Sequence, residues 1–251
     1  MTTKLNPEMG YTCPTCRMEY PTLCGVLDFL PDSNGAKGLA QKLMEYQRIV
    51  EIYEGRWWRR SKLFAWLMGI RFDREMALIK QALYIGSEDR VLDLCCGPGL
   101  YARSFAEDCP TRTVFGLDLS WPMLRYGYRK SMQLGIHNIT FLHGDAHQLP
   151  FKDGSIDAVS CCGALHLFSN IRQVLAELHR VINPGGRFSG ALAMRTSKPL
   201  NRFKAWGDEK IWGIHYYRQE EFRDLLDAAG FEPTIHHARK IWMIVGGTRR
   251  Q

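Results

Sequence analysis

The segment Val91-Leu-Asp-Leu-Cys-Cys-Gly-Pro-Gly-Leu-Tyr-Ala102 constrains the fold of this chain more than any other. An apolar run typical of a buried strand ends in glycines, and a helical pattern follows directly. Gly97 and Gly99 let the backbone turn sharply and approach a ligand closely. The spacing of Gly97, Gly99 and Ala102 suits several nucleoside-containing ligands, so it predicts a strand–loop–helix unit that binds a ligand at its loop.

From Arg90 onward, short apolar runs alternate with amphipathic segments, a pattern that predicts a parallel sheet wound on both faces. The predicted strands are Val91–Cys95, Thr113–Leu117, Ile139–Leu142, Ile156–Cys161 and Arg187–Ala193, and the predicted helices are 99–108, 120–134 and 170–182. Asn183-Pro-Gly-Gly186 ends the last of these helices, since proline and glycine cannot continue it. The fold class is therefore α/β, with a Rossmann-like, mostly parallel sheet.

The flanking regions differ from this central pattern. Residues 1–36 are rich in turn residues and cysteine and are predicted to be a small N-terminal segment, and residues 37–84 read as helices that cap the active site. Residues 85–251 form the predicted core, with a substrate-side insertion at about 195–217. After a helix at 217–230, the runs Pro233–His237 and Ile241–Gly246 are too close for a helical crossover, so they predict an antiparallel hairpin.

Three aspartates stand at or just after the ends of successive predicted strands. Asp93 precedes Gly97 by four residues, where a carboxylate can engage a cationic group of a ligand, directly or through water, but would repel a pyrophosphate. Asp118 ends the second strand and can accept hydrogen bonds from ribose hydroxyls. Asp145 follows the third strand and can accept an adenine amino group. Each could instead be a cap or turn residue, but their joint placement favours a nucleoside site.

With these residues in place, the chain resembles the class I S-adenosylmethionine-dependent methyltransferases, in the subgroup of the ubiquinone and menaquinone C-methyltransferases. The resemblance extends over about 90–230 and rests on VLDLCCGPG, GLDLSWPML, GDAHQLPF, DAVSCCGALHLF, LAELHRVINPGGRF and YRQEEFRDLLDAAGF. It implies S-adenosylmethionine as the methyl donor. Cys95-Cys96 stands where many members have glycine or alanine.

The resemblance also implies roles for particular residues in binding the donor. It places Asp93, Gly97 and Gly99 on the methionine side and Asp118 at the ribose, with Leu119 also in the donor site. It places Asp145 and Ala146 at the adenine.

His166 is the candidate catalytic residue. It follows the fourth strand, where the donor and acceptor pockets of the family meet, and an imidazole titrates near neutrality, so it could remove a proton from the acceptor. The alternative is a packing or hydrogen-bonding histidine at the edge of the donor site. His147, next to Asp145, is interpreted as a wall of the adenine pocket.

The substrate side is predicted to be aromatic and basic. Aromatic residues precede the core and recur in the insertion, although helical aromatics are often plain core: Tyr46, Tyr53, Trp57, Trp58, Phe64, Trp66, Trp206, Trp212, Tyr216 and Tyr217. The net charge is +7, and the excess of basic residues lies outside residues 81–194, where the two signs balance. These features predict a small acceptor that is methylated on carbon or oxygen. The acceptor is apolar or aromatic and can carry an anionic group.

The N-terminal cysteines Cys13 and Cys16 form a CxxC turn of the kind that binds zinc. Only Cys24 lies nearby, whereas tetrahedral zinc needs four ligands. The segment resembles the second half of the zinc ribbon that precedes certain ribosomal-RNA guanine methyltransferases, without its first CxxC. We therefore predict a degenerate, metal-free ribbon, with a zinc site at Cys13 and Cys16 as the alternative.

Three other functions remain open at this stage. An RNA methyltransferase is favoured by the charge and the ribbon-like segment, but a motif for methylation of base amino groups and an RNA-binding module are missing, so nucleic acid is not the favoured partner. An NAD-linked oxidoreductase is disfavoured by Asp93 and the C-terminal hairpin, and a silent binding protein by the intact donor motifs. With no apolar run of about 18 residues and no secretion signal, a cytoplasmic protein without integral membrane association is expected.

Overall fold

The computed structural model describes residues 10–14, 16–30, 61–196 and 213–251 of the chain. The helices within these ranges are α1 (Lys62–Met68), α2 (Phe72–Leu83), α3 (Leu100–Asp108), α4 (Trp121–Gln133), α5 (Ile171–Val181) and α6 (Gln219–Ala228). The strands are β1 (Tyr11–Thr12), β2 (Glu19–Tyr20), β3 (Thr22–Leu23), β4 (Val26–Asp28), β5 (Arg90–Leu94), β6 (Thr113–Asp118), β7 (Ile139–His143), β8 (Ile156–Cys162), β9 (Ile182–Ala193), β10 (Phe231–Arg239) and β11 (Trp242–Arg249).

Nine of these strands form one sheet in the order β10-β11-β9-β8-β5-β6-β7-β4-β3, and β1 and β2 form a separate pair. The strands from β9 to β4 run parallel, whereas β11 is antiparallel to β9 and β10, and β3 is antiparallel to β4. The predicted α/β class, with a mostly parallel Rossmann-like sheet and a C-terminal antiparallel hairpin, is confirmed.

Helices cover both faces of the sheet because alternate residues of each strand point to opposite sides. Val91 packs in one hydrophobic cluster with side chains from α2, α3 and α4. Leu92 packs in the other with side chains from α5 and α6. The apolar stripe of α5 is wholly buried, and each such aliphatic side chain contributes roughly 1.5–3 kcal/mol by leaving water: Ile171, Val174, Leu175, Leu178 and Val181.

Two features of the sheet differ from the sequence prediction. Strand β9 begins at Ile182 and not at Arg187, because Ile182 already pairs with Ile156 before the Asn-Pro-Gly-Gly turn, which forms an irregularity in the strand. The last strand of the N-terminal segment, β4, lies beside β7 in the central sheet. Val26 and Leu27 are buried there, so this segment contributes to the core.

The chain order of the strands creates a switch point in the sheet. From β5 the chain proceeds through β6 and β7 on one side, and then returns to place β8 and β9 on the other. The connections at the carboxyl ends of β5 and β8 therefore diverge and leave a crevice, which is where open α/β sheets bind their ligands. The loop with Gly97 follows β5, and the short 3-10 turn Leu165–Leu167 follows β8.

Candidate active site

The loop between β5 and α3 has an unusual backbone. Cys95, Gly97 and Gly99 all have positive φ angles, of 53°, 54° and 76°. A Cβ atom on Gly99 would lie 2.9 Å from the ring of Phe141, so this glycine is needed for packing. A Cβ atom on Gly97 would meet nothing within 4 Å, so Gly97 borders open space at the crevice. For Cys95, the left-handed conformation that glycine adopts freely costs about 1 kcal/mol.

Asp93 lies on β5 just before this loop and connects β5 to the helix that follows the loop and to β8. Its Oδ2 accepts a hydrogen bond of 3.0 Å from the amide of Ala102 in the first turn of α3, and its Oδ1 accepts one of 2.5 Å from the hydroxyl of Ser160 on β8. Only 1% of Asp93 is exposed, and burial raises the pKa of its carboxyl to about 7. This geometry favours an indirect role, in which Asp93 acts on a ligand through the loop or through water.

Asp118, the last residue of β6, connects this strand to the glycine loop. Its Oδ2 accepts from the amide of Gly97 and its Oδ1 from the amide of Ser120, both at 2.8 Å. Burial raises the pKa of Asp118, and these backbone bonds oppose the rise by stabilising the carboxylate. The amide of Leu119 also bonds to Asp118. Since an ionised carboxylate offers about four acceptor positions, one position remains for a ribose hydroxyl. Leu119, the next residue, is half-buried at the same edge.

Asp145 and Ala146 lie in the loop after β7. Asp145 Oδ1 accepts from the amide of His147 at 2.9 Å and contacts His147 Nδ1 at 2.7 Å. Ala146 is buried, and the ring of His147 meets the ring of Phe168 edge to face at 5.6 Å. The loop is therefore fixed at the carboxyl edge of the sheet, with the rings of His147 and Phe168 in contact.

His166 is buried at the other side of the crevice. Its Nδ1 accepts a bond of 3.3 Å from the amide of Ala193, and its ring meets Trp242 edge to face at 5.9 Å. An Nδ1 that accepts fixes the neutral imidazole as the Nε2–H form. To act as a base, this form would have to take a proton on Nδ1, which faces the Ala193 amide. The geometry thus favours a hydrogen-bond donor at His166 over a general base.

Two polar residues at this edge, His143 and Ser160, were not among the site residues predicted from the sequence. His143 ends β7 directly opposite Asp118, and its Nδ1 contacts Asp28 Oδ1 at 2.7 Å. The signal was present, because a polar residue closes an apolar strand at His143 just as it does at Asp118. Ser160, on the strand next to Asp93, gave no such signal, since serine within an apolar run is commonplace.

The predicted aromatic pocket is partly corrected by the structure. Tyr217 packs edge to face against Phe222 with ring centroids 5.2 Å apart and is buried in the core, because the amide of Arg195 bonds to its carbonyl beside β9. Trp66 on α1 is exposed. Phe64 and Tyr216 lie within the described residues. The other members of the set lie outside them: Tyr46, Tyr53, Trp57, Trp58, Trp206 and Trp212.

Within the described ranges, no group of three or more histidine, cysteine or acidic side chains is arranged to hold a metal ion. Cys13 is half-buried, and Cys16 and Cys24 are exposed. None of the helices that the structure describes combines the length and apolarity needed to cross a membrane.

Comparison with known proteins agrees with this geometry. Residues 91–186, which extend from β5 into the turn within β9, match the family model described as a methyltransferase domain. This stretch is therefore similar to methyltransferase domains. It contains all of the aspartates discussed above except Asp28, together with Gly97, Gly99 and His166.

Relatives of the methyltransferase domain extend over different shares of the chain. An uncharacterized chloroplastic methyltransferase from Arabidopsis thaliana is 27% identical over 231 residues, 88% of this chain and 65% of that protein. A demethylmenaquinone methyltransferase from Geobacillus stearothermophilus is 40% identical over 111 residues, 44% of this chain and 46% of that protein. The chain thus spans about half to two thirds of the length of these relatives.

A solved structure shares the fold of the methyltransferase domain. Geranyl diphosphate C-methyltransferase from Streptomyces coelicolor, in complex with Mg²⁺, geranyl diphosphate and S-adenosyl-L-homocysteine, aligns with a TM-score of 0.61. The alignment covers 70% of this chain and 79% of that one at 14% identity. At this identity the likeness concerns the fold.

Proposed function

We propose that the chain transfers a methyl group from S-adenosylmethionine to carbon or oxygen of a small apolar or aromatic acceptor. The observation that carries the proposal is the row of carboxylates at the carboxyl edge of a methyltransferase domain. Asp93 is tied by a hydrogen bond to the first turn of α3 and Asp118 to the glycine loop, and Asp145 stands in the loop after β7.

The residues present fit this donor. Gly97 borders open space, so a ligand can lie against the backbone of the loop. Asp118 has acceptor capacity left for a ribose hydroxyl, and Asp145 lies one strand further along the same edge, where an adenine amino group would follow the ribose. Asp93 keeps the first turn of α3 in place beneath the methionine end. Leu119 and Ala146 supply apolar contacts on the two sides of the nucleoside.

The donor supplies a methyl group on a positively charged sulfur, and transfer to a nucleophile leaves a neutral thioether. The protein contributes chiefly by holding the acceptor in line and excluding water, which can supply several kcal/mol of the barrier. His166 lies at the edge of the crevice and is proposed to orient an acceptor oxygen as a hydrogen-bond donor. An acceptor that ionises in solution would need no protein base.

A small acceptor is supported by two features. The relative from Geobacillus stearothermophilus is named for a quinone substrate, and the match to it lies in 111 residues of this chain. The ring of His166, after β8, meets the buried ring of Trp242, so a polar and an aromatic group stand side by side there, as they do in sites for ring-shaped molecules.

The proposal is tested by incubating the protein with S-adenosylmethionine labelled on the methyl group, together with a panel of naphthoquinols, phenols and total RNA. We expect label in the organic-solvent extract, dependent on the quinol or phenol, and its loss in Asp118→Ala. Label found only in RNA would show that the alternative RNA methyltransferase is the function. No transfer, combined with no binding of S-adenosylhomocysteine, would refute methyl transfer altogether.

A further inference from the structure

Three side chains from three adjacent parallel strands form a row beside the proposed ribose position. Asp118 on β6 stands directly opposite His143 on β7, and His143 stands directly opposite Asp28 on β4. Directly opposite residues of neighbouring strands share one face of the sheet, and the strands are about 4.8 Å apart. An imidazole thus lies between two carboxylates, one of which comes from the N-terminal segment.

The contacts within this row are specific. His143 Nδ1 donates to Asp28 Oδ1 at 2.7 Å, and the amide of Leu30 donates to the same oxygen at 2.9 Å. The ring of Trp121 covers the imidazole at a centroid distance of 4.6 Å. Asp28 and His143 are each 4% exposed. The imidazole is therefore fixed in rotation by a carboxylate on one side and a ring on its face.

We propose that Asp28 and His143 are positioning residues for the methyl donor: Asp28 orients His143 so that the imidazole supports the negative charge and the orientation of Asp118 at the ribose. This inference rests on the proposed function and extends the donor site to the N-terminal segment, outside the matched methyltransferase domain. The electrostatic effect has the required sign, because an imidazolium at His143 opposes the rise in the pKa of Asp118 that burial causes.

A purely structural interpretation makes a different prediction. The amide of Phe29 also bonds to the carbonyl of His143 at 2.9 Å, so the Asp28–His143 bond could serve only to attach β4 to the sheet. In that case its loss would lower the melting temperature without changing the affinity of the folded protein for the donor.

Binding of S-adenosylhomocysteine and of its 2′-deoxy form distinguishes the two interpretations. Both are measured by calorimetry well below the melting temperature of each variant. For Asp28→Asn, we expect the dissociation constant of S-adenosylhomocysteine to rise five- to tenfold. The penalty for removing the 2′-hydroxyl should also shrink at least threefold, since Asp118 already binds the ribose less well. Asp153→Asn, which removes the same charge from a side chain that is 80% exposed, should change neither value.

His143→Asn provides a second variant that keeps the attachment of β4. Its amide can still donate to Asp28, but the ring beside Asp118 is gone, so affinity should fall while the melting temperature stays near that of the wild type. The inference is wrong if either variant folds and binds both ligands within twofold of the wild type. Failure of the wild type to bind S-adenosylhomocysteine would instead refute the proposed function, and the inference with it.

Discussion

Replacing Asp93 by asparagine should change how the stability of the protein depends on pH. The carboxyl has a pKa of about 7 in the folded protein, mainly because it is buried, whereas an unfolded aspartate has a pKa of about 3.9. A pKa that is raised on folding contributes stability that is complete below the unfolded pKa and is lost as the pH rises through the folded one. Asp93 should therefore favour folding most in acid and oppose it, relative to asparagine, above pH 7.

The magnitude follows from the two pKa values. Between pH 5 and pH 8, this difference in pKa lowers the unfolding free energy of the wild type by roughly 2.5 kcal/mol, because the unfolded carboxyl gives up its proton at a lower pH than the folded one. An asparagine side chain cannot titrate, so the variant should gain about this much relative to the wild type over that interval. The substitution also leaves the Ser160 hydroxyl without its carboxylate partner, but this cost does not depend on pH and cancels in the comparison.

Urea denaturation of Asp93→Asn and of the wild type at pH 5, 6, 7 and 8 measures this difference directly. Every other titrating group is present in both proteins, so only the change in the difference between them with pH is interpreted. Parallel stability profiles over the whole range would show that Asp93 titrates normally and that its burial costs little.

Three further predictions concern the site and the N-terminal segment. Asp118→Ala should weaken binding of S-adenosylhomocysteine by about 1–3 kcal/mol in calorimetry, since a charged acceptor is lost, whereas unchanged affinity would remove Asp118 from the donor site. Nitrogen-15 NMR of the histidine rings should find His166 as the Nε2–H tautomer with Nδ1 accepting from Ala193; a proton on Nδ1 would restore the general-base hypothesis. Elemental analysis should find well below one zinc per chain, and a stoichiometric amount lost in Cys13→Ser would establish a metal site.

The central sheet could be predicted from sequence because each strand is a short apolar run between turn residues. Strands β5 to β8 and helices α3 to α5 begin and end within one or two residues of the prediction. The hairpin of β10 and β11 followed from the short connection between two runs. Periodicity is a local property, and these elements are each specified by their own residues.

The remaining features depend on contacts between distant residues. Strand β4 has only three residues, too few for a periodic pattern, and its partner β7 lies more than a hundred residues away. The role of Nδ1 in His166 depends on the Ala193 amide across the sheet. The positive φ angle of Cys95 could not be predicted either, because cysteine rarely adopts such an angle.

Binding of S-adenosylhomocysteine, compared with binding of NADH, tests the central claim most directly. We predict that S-adenosylhomocysteine binds with micromolar affinity and raises the melting temperature in proportion to the logarithm of its concentration, whereas NADH has no effect because the edge with Asp93 and Asp118 repels a pyrophosphate. Tight binding of NADH, with no effect of S-adenosylhomocysteine, would contradict it.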